Sequence, residues 1–159
     1  MTLALRNAFF TLLEPGSVAV LIPWLILAGS NSGIHRLFWP ALVMIAAGAA
    51  LYAWCLWNFA RVGRGTPAPW DPARHFIATG PYAWVRNPMY IAVALVIAGE
   101  AWLFASAALI AYLAIFLVVV NAFVVFYEEP TLSEQFGAEY AAYRRSVWRW
   151  IPTPPRAWR

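Results

Sequence analysis

The chain has 159 residues, of which 63% are hydrophobic and only 11% are charged. Soluble globular domains are about 45–50% apolar and about 25% charged, so a water-soluble fold of this length could not bury so much apolar surface. All eleven basic residues are arginines, and they flank apolar segments instead of forming a basic run, which argues against a nucleic-acid partner. Composition therefore predicts a single-domain integral membrane protein that contacts lipid.

Apolar segments predict an all-α, polytopic membrane bundle with about four transmembrane helices. The first segment is short, from about Ser17 to Ala28, and is expected to gain length from Ala8–Leu13 across a break at Glu14-Pro15-Gly16. The second, Phe38–Ala60, exceeds the roughly 20 residues that cross a hydrocarbon core. The third, Pro88–Phe104, and the fourth, Ala105–Tyr127, have almost no polar loop between them, which predicts a tight antiparallel hairpin.

Arginine placement predicts the orientation of these four spans. Ten arginines fall on the side shared by the N-terminus, the middle loop and the C-terminal tail, whereas only Arg36 falls on the other side. The positive-inside rule then puts both termini in the cytoplasm. The all-arginine basic set hints at a GC-rich genome. The expected location is a bacterial inner membrane.

The tail beyond the fourth span is predicted to form a separate amphipathic helix. Thr131-Leu132-Ser133-Glu134 has the spacing of a capping box, and Pro130 before it favours a helix boundary. One apolar face follows at steps of three and four residues: Leu132, Phe136, Tyr140, Tyr143 and Val147. Such a helix is expected at the membrane interface, where it would cover the cytoplasmic mouth of the bundle. The single domain 1–159 thus divides into N-terminal helices 1–60, a cytoplasmic loop 61–87, a hairpin 88–127 and a tail 128–159.

The middle loop is rich in glycine and proline, which favours a fixed irregular backbone. Gly80-Pro81 predicts a tight turn, and Pro88 suits the first turn of a helix whose N-cap is Asn87. Such a helix start offers free N–H groups to a ligand oxygen. The alternative is that this segment is an ordered loop followed by a capped helix and binds no ligand.

The adjacent carboxylates Glu128-Glu129 are costly at the edge of hydrocarbon unless they are used or paired. Either one is wet and the other bonded to an arginine, or one of them holds a cationic or hydroxylated part of a cofactor. The hairpin brings them to the same side as Arg86–Tyr90, and the tail helix returns Tyr140, Tyr143 and Arg144 to that side. No metal site is predicted, because the single cysteine, Cys55, lies in an apolar stretch without other ligands.

An ordered set of motifs over about residues 61–152 resembles the isoprenylcysteine carboxyl methyltransferase and phospholipid methyltransferase superfamily. The set is Gly80-Pro81-Tyr82, Arg86-Asn87-Pro88-Met89-Tyr90, Glu128-Glu129 and Phe136-Gly137-Ala138-Glu139-Tyr140 followed by Tyr143. The resemblance implies a membrane methyltransferase that takes S-adenosylmethionine from the cytoplasm and methylates a lipophilic acceptor, such as a prenylcysteine carboxylate or a phospholipid. It implies that the cofactor is enclosed by Gly80, Tyr82, Arg86, Asn87, Pro88, Tyr90, Glu128 and Glu129.

Asn87 departs from the superfamily pattern, which has histidine there. Asparagine hydrogen-bonds but does not titrate near neutral pH, so a positioning role is expected in place of a general base. We place Glu129, Tyr140 and Arg144 nearest the chemistry: Glu129 toward the cofactor's ammonium or ribose, and Arg144 toward an acceptor carboxylate or phosphate. A lipid-facing surface position is the alternative for Arg144.

Two other functions remain open at this point. A sterol-reductase-like NADPH enzyme has the same Arg-x-Pro-x-Tyr and paired-glutamate pattern, but such chains are expected to be longer. A membrane scaffold or small transporter is the other, although no charged residue lies near the middle of a predicted span. Neither alternative predicts binding of S-adenosylmethionine.

Overall fold

A computed structural model describes residues 15–30, 33–34, 38–63 and 76–154, and within these ranges the chain is helical, with no β-strand. The all-α prediction is confirmed. In chain order the helices are α1 (Ile22–Ala28), α2 (Trp39–Asn58), α3 (Pro88–Leu103), α4 (Ala107–Phe123) and α5 (Glu129–Ser146). Wider π-helical turns precede α1 at Ser17–Leu21, follow α2 at Phe59–Gly63 and join α4 to α5 at Val124–Glu128.

Helices α2 and α3 pack most closely, because each presents a glycine to the other. A Cβ on Gly48 of α2 would lie 2.6 Å from the Ala92 carbonyl oxygen, and one on Gly99 of α3 would lie 2.9 Å from the Ala41 carbonyl oxygen. Small residues at such positions let helix backbones approach, as in membrane bundles. The two helices therefore form a closely packed pair, which fixes the C-terminal end of α2 relative to the N-terminal end of α3.

A tight turn joins α3 to α4, as the sequence predicts. Ala105 adopts a positive φ of 46°, and the Ser106 hydroxyl accepts a hydrogen bond from the backbone N–H of Leu109 at the start of α4. A serine N-cap satisfies one of the free donors of a helix start. Residues at the two far ends of this hairpin, near Tyr90 and Glu128, consequently lie together.

Among the described residues, two helical stretches are long and apolar enough to cross a membrane: Trp39–Val62 and Ala107–Ser146. The apolar part of the second lies in α4, and α5 is kinked at Gly137, whose φ of 48° and ψ of −118° are not helical. Only 17% of each apolar stretch is buried, so these helices expose their apolar side chains, unlike the core helix of a soluble protein. Two further apolar helices, Ser17–Ala28 and Pro88–Leu103, are shorter.

Two predicted helix boundaries are wrong. Pro15 and Gly16 are helical, so the predicted break does not occur there; Glu14 and Ala8–Leu13 lie outside the described residues. Pro130 does not separate two helices either. The π turn shifts the hydrogen-bond register, so that the Glu129 N–H donates to Val124 O, and the chain passes the proline without a break. Thr131 donates to Tyr127 O instead of forming the predicted capping box.

The segment after α5 returns across the loop that precedes α3. The Arg86 N–H donates to Trp148 O at 2.9 Å, and the Thr153 N–H donates to Trp84 O at 2.7 Å. The Trp150 indole N–H also donates to the side chain of Asn121 on α4. This segment, residues 147–153, is called the C-terminal strap below, and it fixes the loop that carries Arg86.

Candidate functional site

Glu129, the first residue of α5, lies at the centre of an arginine cluster. Its carboxylate is buried and accepts two hydrogen bonds from Arg149 of the strap, from Nε at 2.7 Å and from Nη2 at 3.0 Å. Arg86 Nη1 lies 3.1 Å from the same carboxylate, and Arg144 Nη2 lies 3.9 Å from it. Paired parallel hydrogen bonds of the Arg149 kind fix orientation as well as charge.

The arginines set the charge state of Glu129. Burial by itself would raise the pKa of this carboxyl, but the hydrogen bonds from Arg149 and the charges of Arg86, Arg149 and Arg144 outweigh burial and lower it. Glu129 is therefore ionised at neutral pH. One carboxylate faces three guanidinium groups, so the cluster has an excess of positive charge.

Arg86 has hydrogen-bonding capacity that its surroundings leave unused. Its Nε and Nη1 atoms are buried, and neither makes an aligned hydrogen bond with any residue that the structure describes. The ion pair to Glu129 is close enough for attraction but lacks that alignment. Buried donors without acceptors are costly, and a charged donor more so. The charge of the cluster and the unused donors of Arg86 are thus suited to an additional anionic group.

Glu128 is directed away from this cluster. Its Oε2 accepts a hydrogen bond from the Tyr90 hydroxyl at 3.0 Å, which ties the end of α4 to the first turn of α3. None of the described arginines forms an ion pair with it. The two adjacent carboxylates therefore differ in surroundings: Glu129 is surrounded by cations, whereas Glu128 lies beside tyrosine side chains.

The Gly80–Ala83 segment forms a short 3-10 turn beneath α5. Gly80 has a φ of 59°, which favours glycine, and the Tyr82 carbonyl oxygen accepts a hydrogen bond from the Tyr143 hydroxyl at 2.6 Å. Burial raises the pKa of both Tyr82 and Tyr143, so both stay neutral at physiological pH. The predicted turn at Gly80-Pro81 is present, and it is bonded directly to the tail helix.

Asn87 occupies the N-cap position of α3, as the sequence predicts, but its side chain does not make the capping hydrogen bond. Its side-chain N–H donates instead to the Arg149 carbonyl oxygen at 3.2 Å, and no side-chain cap is formed at α3. Pro88 occupies the first turn and is buried. The amide of Asn87 thus holds the backbone of Arg149, whose side chain binds Glu129.

Tyr140 and Arg144 of α5 both belong to the arginine cluster, but Tyr140 is buried whereas Arg144 is exposed. Tyr140 is buried beside Arg86, and burial raises its pKa. The Arg144 side chain is 47% exposed, and its guanidinium lies 6.0 Å from the Tyr140 ring centre. Arg144 also lines an open cavity of about 280 Å³ together with Ser133, Gly137, Ala141 and Arg145.

The structure brings the predicted site residues into one region but divides them into three groups. Arg86, Glu129, Tyr140 and Arg144 belong to the arginine cluster; Glu128 and Tyr90 form a pair; Gly80, Tyr82 and Asn87 shape the loop. Sequence reasoning missed Arg149, which was visible only as one of several tail arginines.

Comparison with known families and proteins gives one match. The family model described as phospholipid methyltransferase matches residues 37–139, which is more than half of the chain. The matched range contains the Gly80 turn, Arg86–Tyr90 and the paired glutamates, whereas Tyr140, Arg144 and Arg149 follow it. No curated protein and no solved structure gives a significant match.

Proposed function

This chain belongs to the phospholipid methyltransferase family, and we propose that it is an integral membrane enzyme that transfers a methyl group from S-adenosylmethionine to a lipophilic acceptor. The observation that carries this proposal is the arginine cluster: three guanidinium groups surround one carboxylate, and two buried donor atoms of Arg86 lack aligned acceptors. S-adenosylmethionine carries a carboxylate that such a cluster would accept.

The proposed binding mode separates the two charges of the cofactor's amino-acid end. Arg86 would receive the carboxylate, with Arg144 nearby, because charge-assisted bonds to guanidinium are strong and directional. Glu128 would face the ammonium, since it is the carboxylate without an arginine partner among the described residues. Glu129 then organises the arginines, in place of the direct contact with the cofactor ammonium expected from the sequence.

The bound cofactor would supply an electrophilic methyl group on a sulfonium. The chain's own contribution is orientation, because holding two reactants in line lowers the barrier by about 7–11 kcal/mol. The residues that would do so are fixed by direct bonds: Tyr90 to Glu128, Arg149 to Glu129, and Tyr143 to the Tyr82 carbonyl. Asn87 does not act as a general base in this mechanism, because an amide does not ionise near neutral pH.

In the proposed topology, the chain crosses the bilayer about four times, and the arginine cluster lies on the cytoplasmic side. Exposed apolar side chains along α2 and α4 support lipid contact. The excess of arginine around the middle loop and tail supports cytoplasmic termini. A lipophilic acceptor would reach the site laterally from the bilayer, and the exposed Arg144 at the cavity is suited to a carboxylate or phosphate on that acceptor.

Calorimetric titration of the detergent-purified protein with S-adenosylmethionine and S-adenosylhomocysteine tests the proposal. We expect binding by the wild type and a loss of about tenfold or more in Arg86→Ala, because a buried charge-assisted bond is worth about 1.5–3 kcal/mol. Arg61→Ala is the matched control, because this substitution also removes one positive charge. Arg61 stacks over Trp57 at the end of α2. Binding of NADPH with no binding of S-adenosylmethionine would favour the reductase alternative and refute this proposal.

A further inference from the structure

Asn58, the last residue of α2, is a buried amide at the end of an otherwise apolar helix. Its Nδ2 donates to the Trp54 carbonyl oxygen of its own helix at 3.1 Å, and its Oδ1 accepts from the Thr79 hydroxyl at 3.2 Å. Both ends of the amide are therefore engaged. The side chain connects the end of α2 to the residue immediately before the Gly80 turn.

The same amide lies directly against Gly80. A Cβ on Gly80 would lie 2.5 Å from Asn58 Nδ2 and 2.8 Å from Oδ1, closer than side-chain carbons approach such atoms in real structures. Gly80 also has a positive φ, so two independent constraints require glycine there. Contact between the Asn58 amide and the Gly80 backbone therefore sets the distance between the turn and the end of α2.

The turn held in this way leads into the proposed site. Tyr82, two residues after Gly80, packs edge-on against Phe59 and shares a buried cluster with Cys55, which lies one turn before Asn58. The Tyr82 carbonyl receives the Tyr143 hydroxyl, and Arg86 follows in the same loop. Because α2 is packed tightly on α3, the position of the turn is also fixed relative to Tyr90 and Pro88.

We propose that Asn58 is a positioning residue of the cofactor site: by bonding Thr79 and packing on Gly80 it holds the Gly80–Ala83 turn, and thereby Tyr82 and Arg86, in the binding geometry. This inference rests on the proposed function for its consequence on cofactor affinity. Its structural part, the hold on the turn, stands on contacts that are independent of any ligand.

A double-mutant cycle tests the contact itself. Gly80→Ala should unfold at a markedly lower temperature than the wild type, and much of that loss should disappear when it is combined with Asn58→Ala, which empties the space beside it. Gly137→Ala is the control for backbone strain without a steric clash: Gly137 also has a positive φ, of 48°, but no atom lies within 4 Å of its added Cβ. It therefore reports the backbone strain alone. An equal Gly80→Ala penalty in both backgrounds would overturn the proposal.

Cofactor titration and hydrogen exchange test the consequence. In Asn58→Ala and Thr79→Val we expect S-adenosylmethionine affinity to fall about tenfold, with faster exchange of the Tyr82, Trp84 and Val85 amides and unchanged exchange in α3. Thr79→Ser, which retains the hydroxyl, should bind as the wild type does. Wild-type affinity in Asn58→Ala would overturn the proposal. If the wild type itself binds no S-adenosylmethionine, the proposed function fails, and the exchange rates decide the role of Asn58: faster loop exchange supports it and unchanged exchange refutes it.

Discussion

At the scale of single residues, the paired glutamates show how neighbours in sequence acquire different chemistry. Successive helical positions point about 100° apart, so Glu128 meets Tyr90 on α3 while Glu129 meets the arginines of the loop and strap. The sequence left two alternatives open: one glutamate wet and the other bonded to an arginine, or one of them holding part of a cofactor. Glu129 is bonded to Arg149, and Glu128 accepts a hydrogen bond from Tyr90. Which one is bonded to an arginine depends on the π turn that precedes α5, because this turn shifts the register.

The lowered pKa of Glu129 gives a stability prediction. A carboxyl whose folded pKa lies below its usual 4.5 stabilises the fold fully above about pH 4.5, and this contribution is lost as the pH falls through the folded pKa. At pH 7 we expect Glu129→Gln to lower the free energy of unfolding by about 2 kcal/mol, because it leaves the arginines without a carboxylate.

Denaturant titrations of wild type and Glu129→Gln in detergent, repeated between pH 7 and pH 3, measure this difference. The gap between the two proteins should hold down to about pH 4.5 and narrow below it. Glu134→Gln, at an exposed position on the same helix, should show no gap at any pH. A gap for Glu129→Gln that widens as the pH falls would contradict the assigned environment.

At the scale of elements, the contact between α2 and α3 fixes the frame on which the site is placed. A side chain at Gly48 would collide with the Ala92 carbonyl oxygen at 2.6 Å and with the Val96 side chain at 2.8 Å. Gly48→Val should therefore force the helices apart and lower the free energy of unfolding by about 1–3 kcal/mol. Thermal unfolding in detergent measures this loss.

Gly29→Val is the matched control for that substitution. Gly29 follows α1, and the nearest atom to its added Cβ is 3.9 Å away, which is an ordinary contact. We expect it to unfold close to the wild-type temperature. Equal losses for the two substitutions would show that close packing at Gly48 does not stabilise the pair.

The elements themselves were predictable where hydrophobic pattern alone decides them. The hairpin of α3 and α4 follows from two apolar runs separated by almost nothing, and Pro88 marks the start of α3 as expected. The boundary at Pro130 was wrong, because a π turn lets a helix pass a proline, and no residue type announces such a turn. Asn87 occupies the N-cap position as predicted, but its side chain makes no capping hydrogen bond, because its amide N–H donates to a carbonyl of the strap, 62 residues away.

At the scale of the whole molecule, the site is built from segments that are distant in sequence. The motif residues between Gly80 and Glu129 could be selected by resemblance, and the structure gathers them in one region. Arg149 and Asn58 could not be selected in that way. Their roles come from tertiary contacts, a bidentate pair across 20 residues and a hydrogen bond across 21, which no local pattern encodes.

Transfer of label from S-adenosylmethionine to a lipid-soluble acceptor tests the proposed methyltransferase activity most directly. Protein in lipid nanodiscs is incubated with S-adenosylmethionine labelled on the transferable methyl group, together with a membrane lipid extract, and label is then counted in the organic phase. We predict time-dependent incorporation by the wild type and by Arg61→Ala, and little by Arg86→Ala. Organic-phase label that stays at the level of protein-free nanodiscs, or that is equal in wild type and Arg86→Ala, would contradict the account.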